Sequence, residues 1–359
     1  MNNRDEEAKI ADHIKFWKRE KTTRPLASFH LGNVFFATHY RAAKHLLVSG
    51  KKISPDMIDV DSFLEDYERM YREVCLLDQG AFWTAEPFTS VPWMEAFWGC
   101  DIYGNENSLV SHPFVKNPQD LDKLRFSMDN PWVQKYFEFV KKLDKLSQGR
   151  FPVAQPVMRG QGDTAGALLG QTELIFAMCE EPEIIRRLLD RVTDSFLAVN
   201  GEMHRLAAPF HGGSAIGFYN IWTPEKCVWF QDDICALLSP SLYTNFLLEN
   251  EKRICAAYEY SLVHIHPASF FTLDSMLTNE KLRAVQINRD NNGPSLKQML
   301  PQFRKVLEKG KNLVLWGFLD ERDIDLIYSK LPPEGIFFFL SEYEAETAKR
   351  ISDYLNAYF

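Results

Sequence analysis

The chain lacks most of the features by which a sequence declares a compartment or a chemistry. No stretch approaches the ~18 consecutive apolar residues of a membrane-spanning helix, and the N-terminal MNNRDEEAKIADHIKFWKRE is charged and amphipathic rather than apolar like a secretion signal. There is no excess of positive charge: a net charge of -8 provides no basic field for nucleic acid or an anionic membrane surface. The six cysteines (Cys75, Cys100, Cys179, Cys227, Cys235 and Cys255) form no CxxC pair and no dense framework, which fits a reducing compartment. Cys179 and Cys255 fall in apolar-periodic helical stretches, where cysteine is expected as a small buried hydrophobe. Also absent are GK[ST], GxGxxG, GxSxG and HExxH motifs, internal repeats, low-complexity tracts and linkers. A cytoplasmic protein acting on a small molecule, with no nucleic acid or membrane partner, is the expectation.

What is present is an alternation. From about residue 151 onward, short β-rich runs (152–158, 214–220, 261–266, 282–288, 312–318 and 335–340) alternate with amphipathic helical segments. Most of the runs are nearly continuous in apolar residues, as strands of a parallel sheet covered on both faces must be. Ser239-Pro240 and Asp320 stand where helix N-caps belong. Such alternation implies βαβ units. PLASFH (25–30) adds a further strand, and an eighth is expected within 75–101. A single (β/α)8 TIM barrel over residues 1–359, with an N-terminal helical extension (1–24), is the predicted fold. The segment 75–101, rich in tryptophan and phenylalanine, is read as an excursion over the barrel mouth, packing on itself or forming a pocket wall.

In SLVHIHPAS (261–269), residues i and i+2 of a strand share a face, so His264 and His266 project together while Val263 and Ile265 point the other way. Two imidazoles are half a zinc site. His30 after PLASFH, or Ser341 and Glu342 after GIFFFL, are candidates to complete it. Asp232 and Asp233 precede a capped helix and serve either as turn groups or as a carboxylate facing the mouth; Asp290 past the run 282–288 and Glu95 in VPWMEAFWGC share that ambiguity. Asp233, Asp290 and Glu95 are the candidate catalytic carboxylates. Trp93, Tyr219, Arg159 and His30 are the candidate substrate contacts. The glycines of MRGQGDTAGALLG (158–170) permit a tight turn and close helix approach, with Asp163 or Thr164 as N-cap.

Ordered segments carry a resemblance: VPWMEAFWGC, GALLGQTELIFAMCEEPEIIRRLLDRVTD, QDDICALLSPSLYTNFLLENEKRI, HIHPAS and LVLWGFLD. In this order they resemble the uroporphyrinogen decarboxylase superfamily, which includes zinc-dependent methyltransferases acting with corrinoid proteins. The likeness covers about residues 80–359. It implies a barrel with its cleft at the carboxyl ends of the strands. True decarboxylases of that superfamily carry an arginine-rich MRQAGRY motif after the first strand, whereas this chain reads RPLASFHLGNVFFATHY. The methyltransferase branch carries HxCG where this chain has HIHP, so His264 matches the family histidine and His266 replaces the first cysteine. The second cysteine is absent, and Glu342 lies near its position. The resemblance therefore implies a zinc-dependent methyl transfer between a small molecule and a corrinoid or thiol acceptor, the corrinoid being carried on a partner protein. A porphyrinogen decarboxylase and a non-catalytic corrinoid- or ligand-binding barrel are the alternatives.

Overall fold

The computed structural model describes residues 6–23, 25–32 and 36–357; the side chains of Phe36, Glu342 and Tyr343 lie outside that description. It is a mixed α/β structure built on a six-stranded parallel sheet. The strands are β1 (Leu26–Leu31), β2 (Cys227–Gln231), β3 (Tyr260–Ile265), β4 (Ala284–Asn288), β5 (Asn312–Gly317) and β6 (Ile336–Tyr343). Their spatial order is β1-β6-β5-β4-β3-β2.

Strand alternation sorts the core into two. Val263, Ile265, Val285, Ile287, Leu313 and Phe338 face the helices. Leu26, Trp229, Leu262, Ala284, Phe337 and Phe339 face the other way and join one cluster with Phe16 and Trp17. Phe16 and Trp17 belong to the N-terminal helix Glu6–Lys18, which packs on the end where the strands begin: Trp17 Nε1 donates to Trp222 O at 2.8 Å, and its ring lies 4.9 Å from Tyr260. The strands' carboxyl ends are left to other use.

Two further segments extend the β2 edge. Arg159 pairs in parallel with Gln231, and Ala85 pairs in parallel with Val153. The stretch 152–159 contains Pro152 and Pro156, which cannot donate to a ladder. Gln155 supplies what the prolines lack. Its side chain donates to Trp229 O at 2.5 Å and accepts from Trp229 N at 3.3 Å, a side-chain version of a ladder step.

The expected strand at 214–220 takes a different form. Ser214–Ile216 pairs antiparallel with Ile221–Thr223 in a hairpin, and the parallel strand is Cys227–Gln231. Gly217 to Asn220 make the hairpin tip, which turns inward: Tyr219 O accepts from Ser28 Oγ at 3.2 Å, and Asn220 Oδ1 accepts from Thr84 N at 2.9 Å. The aromatic segment divides between core and cavity: Trp83 lines a cavity with His30, Tyr40 and Phe218. Phe88, Trp93, Phe97 and Trp98 are buried in the main core, Trp93 against Tyr136 and Phe139 of the helix Pro131–Ser147. Cys179, expected to be buried, is exposed, whereas Cys255 is buried as expected.

Candidate metal centre

His264 is the last inward-facing residue of β3. His266, two residues on, keeps extended backbone (φ -88°, ψ 155°), so it stays on the same side before Pro267 starts a 3-10 turn. The two rings lie 4.7 Å apart, nearly perpendicular. Asp233 comes up from the loop after β2. Its Oδ1 lies 3.8 Å from His264 Nε2 and 3.9 Å from His266 Nε2. These separations exceed a hydrogen bond. They are slightly wider than the roughly 3.4 Å between donors that a tetrahedral ion at ~2.1 Å requires. Among the described residues, Asp233, His264 and His266 are the group whose ligand atoms all lie within 4.8 Å of one another.

Both imidazoles are held from behind through Nδ1. His266 Nδ1 bonds Asp290 Oδ1 at 2.7 Å, and Asn288 Nδ2 steadies that carboxylate at 2.5 Å. His264 Nδ1 bonds Gln286 Oε1, which also accepts from the Tyr219 hydroxyl at 3.0 Å. An acceptor on each Nδ1 puts the proton there and leaves both Nε2 lone pairs facing Asp233. Burial lowers the His264 pKa below its ordinary value against the raising effect of Asp233, so the ring is neutral and able to ligate. The donor set is two nitrogens and one oxygen, suited to zinc and to other borderline divalent ions. Cysteine is not part of it.

The tandem acids have separate tasks. Asp232 is buried and accepts from Asp163 N at 2.8 Å, while the Asp163 carboxylate accepts from Asp233 N at 2.9 Å and Ile234 N at 2.8 Å. This reciprocal clamp fixes the backbone on which Asp233 rides. It explains two of the four glycines of the 158–170 stretch: a Cβ on Gly160 would stand 2.3 Å from Asp232 Oδ2, and one on Gly162 3.0 Å from Asp232 Oδ1. The helix Gln161–Leu169 takes Gly160 as its N-cap, so Asp163 and Thr164, the expected caps, both lie inside it, and Asp163 faces across to the clamp. Burial, then the charge of Asp233, pushes the Asp163 carboxyl up to about 7. Asp232 is raised well above its ordinary value by burial, then by Asp163 and Glu251.

Glu251 stands behind this clamp, 2 % exposed, accepting from the Tyr243 hydroxyl at 2.5 Å, with its pKa pushed by burial from 4.5 to about 7. Its folded-state pKa lies above the unfolded one. The stability it contributes is therefore complete below pH ~4.5, is lost as pH rises to about 7 and changes no further beyond, a fall on the order of 3 kcal/mol. Glu251→Gln should flatten that part of the decline. Urea unfolding of both proteins at about pH 5 and about pH 8 checks it, and identical slopes would refute the assignment.

The remaining expected site residues divide. Arg159 ends the stretch beside Gln231 and pairs with the fully buried Glu95 at 2.7 Å. Glu95 first, then Asp163 and Asp233, hold its guanidinium above the ordinary arginine range. Tyr219 reaches His264 Nδ1 at 3.3 Å from the hairpin tip. His30 sits at a register shift between β1 and β6, its ring stacked 4.8 Å from His39, away from the histidine pair. Trp93 lies in the core, where its Nε1 donates to Phe88 O at 3.1 Å. Ser341 is buried and accepts from Trp316 Nε1 at 2.9 Å, and the Glu342 side chain is outside the described residues. The third ligand candidate is thus Asp233, which the sequence offers as a turn group or as a carboxylate facing the mouth. Gln286, Asn288 and Gln155 carried no signal beyond their places in or beside strands.

No protein-family profile matches the chain, and no curated protein sequence matches it. Among solved structures it is similar to a methyltransferase from Methanosarcina mazei, with a TM-score of 0.65 and 13% identity, over 98% of this chain and 99% of that one. At that identity the likeness is one of fold.

Proposed function

We propose that this chain is a methyl-transferring enzyme of the uroporphyrinogen decarboxylase-like barrel type, with a divalent ion, zinc in the first instance, held by Asp233, His264 and His266. The observation that carries the reading is the triad itself: three donors converging, with each histidine's far nitrogen already engaged. The sharing of fold with a methyltransferase supports it. We read the six strands, with the segments at Val153–Arg159 and Ala85, as eight staves of one closed barrel forming a single domain. The β1 edge meets the 79–85 segment through Phe29 N, which donates to Gln79 Oε1 at 2.8 Å.

When bound, the ion supplies a Lewis acid that holds an acceptor thiol as thiolate or polarises a leaving oxygen. Asp290 and Gln286 orient the imidazoles, and Asp233 closes the donor set. Arg159, beside Asp233 and half-exposed, offers a fixed positive charge to an anionic group of the small substrate. Leu237, Phe271 and Phe318 are exposed on the loops after β2, β3 and β5, an apolar rim on which a corrinoid-carrying partner protein would seat.

The test is methyl transfer from methylcobalamin to a small thiol, followed by loss of the cobalt-carbon absorbance with zinc-loaded protein. Transfer that depends on added zinc and on Asp233 supports the proposal. Decarboxylation of a porphyrinogen by the metal-free protein would replace it.

A further inference from the structure

A cavity open to solvent lies beside the end of β1, lined by Phe29, His30 and Leu31 together with the hairpin-tip residues Gly217 and Phe218. Its walls include the rings of Tyr40, Tyr67, Trp83 and Phe218. Into it faces Glu86, 8 % exposed, the residue after the Ala85 bridge. The Thr89 hydroxyl bonds its carboxyl group, and among the described residues nothing bonds its Oε2. The hairpin tip passes close by as bare backbone: a Cβ on Gly217 would stand 3.0 Å from Glu86 Oε2 and 2.6 Å from Gln155 O.

No lysine or arginine lines this cavity among the described residues, and its second carboxylate is Glu73. The other titratable groups are His30, His39 and the two tyrosines. Tyr67 already donates its hydroxyl to Glu86 O at 2.6 Å. Burial, then His39, holds His30 well below its ordinary pKa, so it brings no charge. Burial raises the Glu86 carboxyl well above the carboxylate range against the Thr89 hydrogen bond, so without a ligand it keeps its proton, and it becomes the counter-charge of a bound cation as that proton leaves to solvent. A buried carboxyl with an unused oxygen, facing an aromatic-walled cavity that lacks fixed positive charge, is incomplete. A weakly hydrated cation satisfies it: the carboxylate provides the counter-charge, and ring faces attract the diffuse positive charge of alkylated nitrogen.

We propose that this cavity binds a small organic cation of the alkylammonium class, with Glu86 as its counter-charge and the aromatic rings as its walls. Binding requires neither the metal nor methyl transfer, so it stands or falls independently of the function proposed above.

The experiment is a calorimetric titration of the full chain, without added metal, with choline and with 3,3-dimethylbutan-1-ol, its uncharged isostere. Choline should bind, the alcohol should bind at least about tenfold more weakly, and Glu86→Gln should cost choline about tenfold or more while leaving the melting temperature at or above that of the wild type. Equal binding of the two probes overturns the proposal, as does a wild type that takes no choline. The probe pair on the wild type decides the matter even if the variant does not fold. Choline binding unchanged in a folded Glu86→Gln protein also overturns it.

Discussion

Replacing His266 with alanine is expected to reduce zinc affinity by on the order of 100-fold or more, with the fold intact. The size follows from the geometry: His266 supplies one of three protein donors, and its loss leaves Asp233 and His264 as an open pair. The variant should fold because the His266 side chain is 34% exposed, whereas His264, at 2%, is part of the packed interior. Asp233→Asn should act in the same direction by removing the single anionic donor. Asp290→Asn should give a smaller loss of about 10- to 100-fold, the usual cost of a supporting partner that fixes a ligand's tautomer. Competition against a chromophoric chelator, with metal content measured on the same samples, reads all three. If His266→Ala and Asp233→Asn both keep wild-type affinity, the triad is a polar cluster that holds no ion and the metal-dependent mechanism falls. The same metal analysis names the ion, since two histidines and a carboxylate also suit iron(II).

Trp93→Ala should destabilise the protein by about 3–5 kcal/mol while leaving metal affinity per folded molecule unchanged. Trp93 is fully buried, packs edge-on to Trp132, Tyr136 and Phe139, and donates its indole hydrogen to Phe88 O. Its removal leaves a cavity between two packed helices that cannot relax away cheaply, and Phe88 O keeps only its bond from Val91 N at 3.2 Å. Had Trp93 been a wall of the substrate pocket, the loss would fall on ligand binding and spare stability. Denaturant midpoints at constant m separate the two. A stability change under about 1 kcal/mol would contradict its place in the core.

The aromatic segment shows where local reading stops. VPWMEAFWGC is rich in large rings, and composition alone does not distinguish a pocket wall from a core. The partners of Trp93 come from residues 132–139, and which face they present is decided only when that helix docks. The strand near residue 214 failed for a similar reason. SAIGFYN has the apolar continuity of a buried strand, yet its tip turns back through Asn220 at φ 60°, and the parallel strand follows at CVWFQ. Apolar continuity reports burial, not the direction of pairing.

The two-residue period of a strand put His264 and His266 on one face, and the pattern alone predicted that Val263 and Ile265 would pack oppositely, as they do. The alternation of strands and helices likewise pointed to a parallel α/β sheet. A helix-starting serine and aspartate were legible because capping is a contact within four residues: Ser239 accepts from Leu242 N and Asp320 from Asp323 N. What all of these share is short range in sequence.

The tertiary structure decided everything that depends on residues far apart. It separated Asp232 from Asp233, making one the buried half of a clamp with Asp163 and bringing the other to the histidines. It selected Asp233 from several carboxylates, gave Asp290 and Gln286 their supporting places, and sent Glu95 to Arg159. Neighbouring aspartates are chemically identical along the chain. Only the loop conformation after β2, held by backbone amides donating to a carboxylate 70 residues away, determines which of them looks inward.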